Sequence, residues 1–377
     1  MDAIYLSRDD AFDLESWSGT PYWMGRALES AGFRLSYVCP LKDSFKLYYK
    51  IKGKLIRLLG WDYIRDGEWA PLRSYGRQAT RLIANKSGKI ILSCGKPHVT
   101  FLKTKLPIIS FDDASTPAII TTHPGFTNLF PPNKRRLHEA ERLALSNCHF
   151  ACYASEWAAE AAVRAYGSPY DKKIKIIPFG ANTGVTRNAG DIDAIIRSRE
   201  RGQCNLLFVG RAWEPKGGDV ALAVAKELYE RGVKVRFDVV GCSPPSPTPG
   251  FVRIHGFVSK KSTDGQALLD KLYRESHFFI LPTRFEAYGI VFVEASSYGL
   301  PSLGTAVGGV TTIIRDGANG KLFGLLAPAV EYADYVQSLL NHPAAYEKLC
   351  RSAFCEYENR LNWRKFGEAV RSLVESI

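Results

Sequence analysis

Several absences narrow what this chain is. It has no run of about 18 uninterrupted apolar residues, so no segment reads as bilayer-spanning. Its first residues, Met1-Asp2-Ala3-Ile4-Tyr5-Leu6-Ser7, lack the basic-then-apolar order of a secretory signal, so a cytoplasmic location is expected. Cysteine is sparse and scattered, at 39, 94, 148, 152, 204, 242, 350 and 355, with no C-x-x-C pair. Buried free thiols in a reducing compartment are therefore expected. Cys148, His149 and Cys152 are too few and too close for a zinc site. The first βα turn carries no G-x-G-x-x-G, and no acidic residue at the right offset completes that fingerprint, which disfavours a dinucleotide oxidoreductase. No DxD-like motif sits where a metal is demanded, so neither metal nor cofactor is expected. Repeats and low-complexity tracts do not stand out.

Acidic residues are the other shortage. Lys and Arg number 50 against 38 Asp and Glu, a net charge of +12. Between 42 and 105 stand fifteen basic residues against four acidic ones, so this stretch alone carries a net +11. Such a surface attracts anionic lipid or nucleic acid. Within it, residues 44–60 mix Lys and Arg with Phe45, Leu47, Tyr48, Tyr49, Ile51, Leu55, Ile56, Leu58 and Leu59. As a helix this segment is basic and amphipathic, which suits peripheral attachment to an anionic membrane face. A helix covering the core with Lys stems at its edge fits the same pattern. Gly53 weakens one continuous helix.

At 377 residues the chain has room for two domains with separate cores. The most informative segment is Arg284-Phe285-Glu286-Ala287-Tyr288-Gly289-Ile290-Val291-Phe292-Val293-Glu294, directly after the apolar run Phe278-Phe279-Ile280-Leu281-Pro282. It reads as a buried strand, a tight loop carrying Glu286, and a helix starting near Ile290 with Glu294 about one turn in. The helix start offers unpaired N–H groups at about Ile290, Val291 and Phe292 to a phosphate, and Gly289 lets the backbone approach it. Glu294 suits a vicinal diol such as ribose, and Glu286 the hydroxyls of another sugar. An anion flanked by two polyols describes a nucleotide sugar.

A second block supports this reading. Asn205-Leu206-Leu207-Phe208-Val209-Gly210 reads as a buried strand, followed by the loop Arg211-Ala212-Trp213-Glu214-Pro215-Lys216-Gly217-Gly218, a helix over 219–231 and a strand over 235–241. Ligands of open parallel sheets bind at the carboxyl ends of strands, which places Arg211 and Lys216 to neutralise a diphosphate.

The two blocks resemble the G-R-x-x-x-x-K-G and E-x7-E signatures of retaining family-four glycosyltransferases, also called group 1. The likeness continues through Ala295-Ser296-Ser297-Tyr298-Gly299-Leu300-Pro301, Gly308-Gly309 and Asp316-Gly317-Ala318-Asn319-Gly320. The resemblance implies an α/β fold of the GT-B type: two Rossmann-like domains facing across a cleft, with a C-terminal helix crossing back to the first. It implies domains at 1–185 for the acceptor and 204–355 for the nucleotide sugar, a connection through 184–203, and a returning helix at 356–377. Gly19, Arg211, Lys216, Glu286, Tyr288, Gly289, Ile290, Val291 and Glu294 are the implied donor-binding residues. The implied reaction moves a sugar from a nucleotide-diphosphate sugar to a glycan or lipid-linked acceptor. The anomeric configuration is retained, no metal is used, and the leaving diphosphate assists attack on the same face.

The first half departs from the family at two places. Its Gly-Gly loop is Ser18-Gly19 here, and after the strand Pro107-Ile108-Ile109-Ser110-Phe111, where many relatives carry His, stand Asp112 and Asp113. Either carboxylate can take a hydroxyl or stabilise positive charge at the anomeric carbon, while an Asx turn or helix cap explains them equally. Together with Glu286 they are the catalytic candidates, and His123 is a further one on the acceptor side. The alternative function is a nucleic-acid-binding protein, or a glycosyltransferase that modifies nucleic acid, using the 42–105 surface. No recognised nucleic-acid motif accompanies that surface.

Overall fold

The computed structural model describes residues 1–123 and 125–377. Met1–Phe179 with Trp363–Ile377 form one compact unit, and Gly180–Asn362 form another.

The first unit runs β1 (Asp2–Ser7), α1 (Thr20–Ser30), β2 (Arg34–Val38), α2 (Lys46–Leu58), α3 (Trp69–Ile83), β3 (Ile91–Cys94), β4 (Ile108–Asp112), α4 (Thr116–Thr122), α5 (Pro131–Asn147), β5 (Phe150–Tyr153), α6 (Glu156–Tyr166) and β6 (Ile174–Ile176). The strands form one sheet in the order β2-β1-β3-β4-β5-β6, every pair parallel. Parallel sheets are covered on both faces, and the apolar runs of β1 and β3 are accordingly buried. Ser155 caps α6 as its position suggests, its Oγ accepting the Ala158 N–H at 3.3 Å.

The second unit runs α7 (Ala189–Ser198), β7 (Gln203–Val209), α8 (Gly218–Glu230), β8 (Lys234–Val240), β9 (Val252–Gly256), α9 (Thr263–Glu275), β10 (Phe278–Leu281), α10 (Ile290–Ser296), β11 (Ser302–Thr305), α11 (Val310–Ile313), β12 (Gly320–Phe323), α12 (Ala329–Leu340) and α13 (Pro343–Arg360). Its six strands are also all parallel, in the order β12-β11-β10-β7-β8-β9. Phe278, Phe279, Ile280 and Leu281 have no solvent exposure, and each contributes roughly 1.5–3 kcal/mol of burial before chain entropy is subtracted.

Two boundaries differ from the sequence expectation. The polar stretch 184–203, read as the interdomain connection, contains α7. Asn188 and Asp191 form a reciprocal capping box, with N–H to carboxyl or amide oxygen distances of 2.9 and 3.1 Å, and Ile192, Ile195 and Ile196 are buried. Cap residues and an exposed face gave this segment the composition of a linker. The cut at 355/356 falls inside α13, which closes where the Asn362 amide donates to the Tyr357 and Glu358 carbonyls, both at 2.8 Å. Only then does α14 (Trp363–Glu375) begin. It packs against α1 so closely that a Cβ on Gly367 would lie 2.8 Å from the Ala27 carbonyl oxygen, and Phe366 meets Phe111 and Phe179 edge-on.

Candidate functional site

The strand order of the second unit fixes where its ligand site belongs. From β7 the chain winds outward to β8 and β9, then returns to the other side of β7 as β10 and winds away to β11 and β12. The sheet therefore reverses direction between β7 and β10, and crevices form outside the carboxyl ends at such a reversal. The loops leaving β7 and β10 are those read from sequence as Arg211–Gly218 and Arg284–Gly289.

The two loops are fastened to each other. The Arg284 N–H donates to the Pro215 carbonyl at 3.0 Å, and the Arg284 guanidinium forks onto Asp219 at 2.7 and 2.8 Å. Gly217 has φ +72°, and a Cβ there would lie 1.9 Å from the Pro282 carbonyl oxygen, so only glycine permits this approach. Gly308 supports the far side, with φ +54° and a Cβ position 1.9 Å from the Glu286 carbonyl oxygen. Held this way, Lys216 Nζ donates to Glu286 Oε2 at 2.6 Å, both side chains half-buried. Two residues seventy positions apart thus form one charged pair at the sheet's reversal.

The remaining donor-side candidates are distributed around this pair. Gly289, left-handed at φ +94°, precedes α10; Ile290 and Val291 are that helix's first residues and Tyr288 is buried. The Arg211 guanidinium stacks 5.3 Å from the centre of the Phe257 ring, which leaves its charge at the rim of the same set of loops. Glu294 is 1% exposed and accepts from Lys260 Nζ at Oε1 and from the Tyr273 hydroxyl at Oε2, the latter at 3.1 Å. Sequence reasoning missed Lys260. Its only signal is a Lys-Lys pair two residues beyond His255–Val258, and such a pair reads as solvated.

In the first unit, Trp17, two residues before Gly19, donates its Nε1–H to Asp113 Oδ2 at 3.0 Å. Trp17 and Ser18 hold φ of 44° and 58°, a conformation non-glycine residues adopt at a cost of about 1–3 kcal/mol. His123 Nδ1 accepts the Gly125 N–H at 3.0 Å, and its ring stacks on Phe126. Asp112 lies in a buried charge cluster. Lys96 Nζ donates to Glu141 Oε1 at 2.6 Å and stands 3.6 Å from Asp112 Oδ2. Glu141 also accepts the Thr116 N–H and the Tyr153 hydroxyl, each at 2.6 Å.

Lys96 was counted in sequence among the basic surface residues, but it is 8% exposed, so the basic stretch is not entirely surface. Burial opposes its charge, and the two carboxylates more than offset that, keeping it protonated. For Glu141, burial is overcome by Lys96 and three hydrogen bonds, leaving it below the ordinary carboxylate range. Asp112 goes the other way. Burial pushes it up to about 7, Lys96 opposes this incompletely, and Glu141 and Asp113 add to it.

The sign of the resulting pH dependence follows. The folded value lies above the unfolded one, so the contribution of Asp112 is fullest below about pH 4 and is lost as pH rises through about 7. Asp112→Asn cannot ionise. It should match the parent near pH 4 and exceed it by on the order of 2 kcal/mol at pH 8 in urea unfolding, and an unchanged midpoint at pH 8 would contradict the assignment.

Two doubly wound parallel units, the second with glycine-supported cationic and acidic loops at its reversal point, are the architecture of GT-B proteins. Solved structures agree on the fold. Sucrose-phosphate synthase from Thermosynechococcus elongatus aligns with a TM-score of 0.70 at 16% identity, over 100% of this chain and 98% of that one. Anabaena Alr3699/HepE, solved in complex with UDP, aligns with a TM-score of 0.66 at 13% identity over the whole of both chains. Residues 203–342 match the family model described as "Glycosyl transferases group 1". A D-inositol 3-phosphate glycosyltransferase of Acidothermus cellulolyticus is 28% identical over 258 residues, 63% of this chain and 55% of that protein. The chain thus spans about half the length of the curated relatives it matches. No described helix is long and apolar enough to cross a membrane.

Proposed function

We propose that this protein is a retaining glycosyltransferase that uses a nucleotide-diphosphate sugar, with the donor held by the second unit. The observation that carries the reading is the Lys216–Glu286 pair at the sheet reversal, which joins the two sequence blocks at one point. Without a donor each group neutralises the other. A diphosphate arriving there competes for Lys216, and Glu286 is released to accept sugar hydroxyls. Arg211 adds a second cation, so the leaving diphosphate is stabilised by side chains and the reaction proceeds without a metal. Glu294, oriented by Lys260 and Tyr273, has lone pairs remaining for a ribose diol. The diphosphate then takes the acceptor proton as the acceptor oxygen attacks on the face it leaves. Asp112 and Asp113 serve the acceptor side.

The acceptor is a glycan or lipid-linked molecule, and α2 supports the lipid-linked choice. Its outward face carries Leu47, Tyr48, Ile51, Leu55 and Leu58, all more than half exposed, beside Lys46, Lys50, Lys54 and Arg57. Apolar residues interleaved with cations fit an anionic membrane face better than a polyanion, which needs only the charge. Gly53 does not interrupt α2; the Tyr63 ring packs where its side chain would be, a Cβ there falling 2.9 Å from Tyr63 Cδ1.

A thermal-shift panel of UDP-, GDP- and ADP-sugars tests the donor assignment. One of them at 100 times its Kd is expected to stabilise the protein by about 2.7 kcal/mol, and no shift with any of them would refute the reading.

A further inference from the structure

The first unit contains a cavity of about 310 Å³, the small end of the range for ligand sites, and of the residues given a role so far only Asp112 lines it. One wall is apolar, formed by Ile64, Ile120, Phe126 and Leu137. The opposite end is the charge cluster Lys96, Asp112 and Glu141. Lys96 is engaged by Glu141 and by the Ala114 carbonyl, and both Glu141 oxygens accept hydrogen bonds. Asp112 Oδ2 is different: it is buried and accepts no hydrogen bond. The cavity therefore presents an apolar body and one open carboxylate acceptor.

That combination selects for a ligand. An apolar skeleton fills the wall, and a hydrogen-bond donor reaches Asp112. A carboxylate or phosphate head is disfavoured, because the cation within reach is already committed to two carboxylates and the open atom is itself an acceptor. The wall also borders the seat of α2, since Tyr63 packs under that helix and its neighbour Ile64 lines the cavity. An apolar ligand there lies next to the buried seat of α2, on the side of that helix opposite its exposed apolar row.

We propose that this cavity is a subsite for a hydroxyl-bearing apolar group, with the hydroxyl donated to Asp112 Oδ2. That this group belongs to the acceptor rests on the glycosyltransferase reading; that the cavity binds it does not. Asp112 ends β4, at the carboxyl edge of the first sheet, so the hydroxyl lies at the edge where parallel sheets bind ligands.

The test uses the full chain with 1-octanol and octanoate as probes, read by ligand-induced thermal shift and by titration calorimetry. At pH 8, where Asp112 is ionised, 1-octanol is expected to bind at least about tenfold more tightly than octanoate, since a second negative charge beside it is repelled. Octanoate binding as well as the alcohol, or no binding of either, would overturn the proposal. Ala140→Phe places a ring in the cavity and should abolish octanol binding while leaving any nucleotide-sugar shift intact; retained octanol binding in a folded variant also overturns it. If that variant does not fold, Asp112→Asn serves. Removal of the charge should bring the two probes to within about threefold of each other, and an unchanged preference counts against the proposal. Octanol binding in a protein that no nucleotide sugar stabilises would keep the cavity and remove the glycosyltransferase reading.

Discussion

Lys216→Ala should lower kcat/KM for sugar transfer by about 10³-fold, equivalent to about 4 kcal/mol of lost transition-state stabilisation. On the proposed reading the ammonium meets charge that grows on the diphosphate as the bond to the sugar breaks, so its removal should fall mainly on kcat. Glu286→Ala should be comparably severe for a different reason, loss of the group proposed to fix the sugar. Stability should move little. The pair is partly solvated, with side chains 25% and 16% exposed, and such a pair contributes about 1 kcal/mol. Circular dichroism and thermal unfolding near the parent values, with turnover lost, are therefore the expected results. Both variants retaining full activity would end the site assignment. The double variant should lose little more than either single one, because each residue needs the other's ligand in place.

The second unit was largely legible in the sequence because its site is built from contiguous strand–loop–helix segments. Apolar runs mark β7 and β10, glycines mark the turns, and Lys216 and Glu286 each sit a few residues beyond a strand end. What contiguity cannot supply is pairing across the chain. Lys260 reaches Glu294 from 34 residues away, and Lys96 reaches Glu141 from 45. Before folding, each lysine is one cation among many, and only the fold separates a buried partner from a solvated one. The helix α3 escaped notice for a local reason. Pro71 and Gly76 argue against it by propensity, yet Pro71 sits in its first turn, where a missing N–H is harmless. Gly76 lies against the Phe101 backbone, a Cβ there falling 2.6 Å from the Phe101 carbonyl oxygen. Packing overrode propensity at both positions.

The positive charge of the first unit is also better understood in three dimensions. Part of it is internal: Lys96 is buried, and Lys52 pairs with Glu68 at 3.0 Å. The charge left on α2 is arranged in a row, beside an apolar row at positions 47, 51, 55 and 58, the spacing of one helical face. Residues on the other side of α2, Tyr49 and Ile56, are buried with Tyr63. The helix therefore has a seat in the protein and a second apolar face turned to solvent, where Leu58 is 82% exposed. Soluble monomers rarely leave such a face uncovered unless it docks onto something.

Vesicle sedimentation should separate the two components of that face. The parent is expected to pellet with phosphatidylserine-rich vesicles and to remain largely in solution with neutral ones. Leu47→Ser/Ile51→Ser/Leu55→Ser removes three apolar contacts at roughly 1–2 kcal/mol each, so partitioning should fall by at least about 100-fold. Lys46→Ala/Lys50→Ala/Lys54→Ala removes attraction of about 1 kcal/mol per charge near the surface, and its effect should shrink as salt rises. The binding left to the apolar triple should be the more salt-sensitive, because only the lysines hold it, and that left to the lysine triple the less, whereas a polyanion partner would ignore the apolar triple and respond only to the lysines. Because these side chains are solvent-facing, unfolding midpoints should stay close to the parent value. Equal failure to pellet with either lipid would remove the membrane assignment and leave α2 as a surface helix whose apolar face serves another partner.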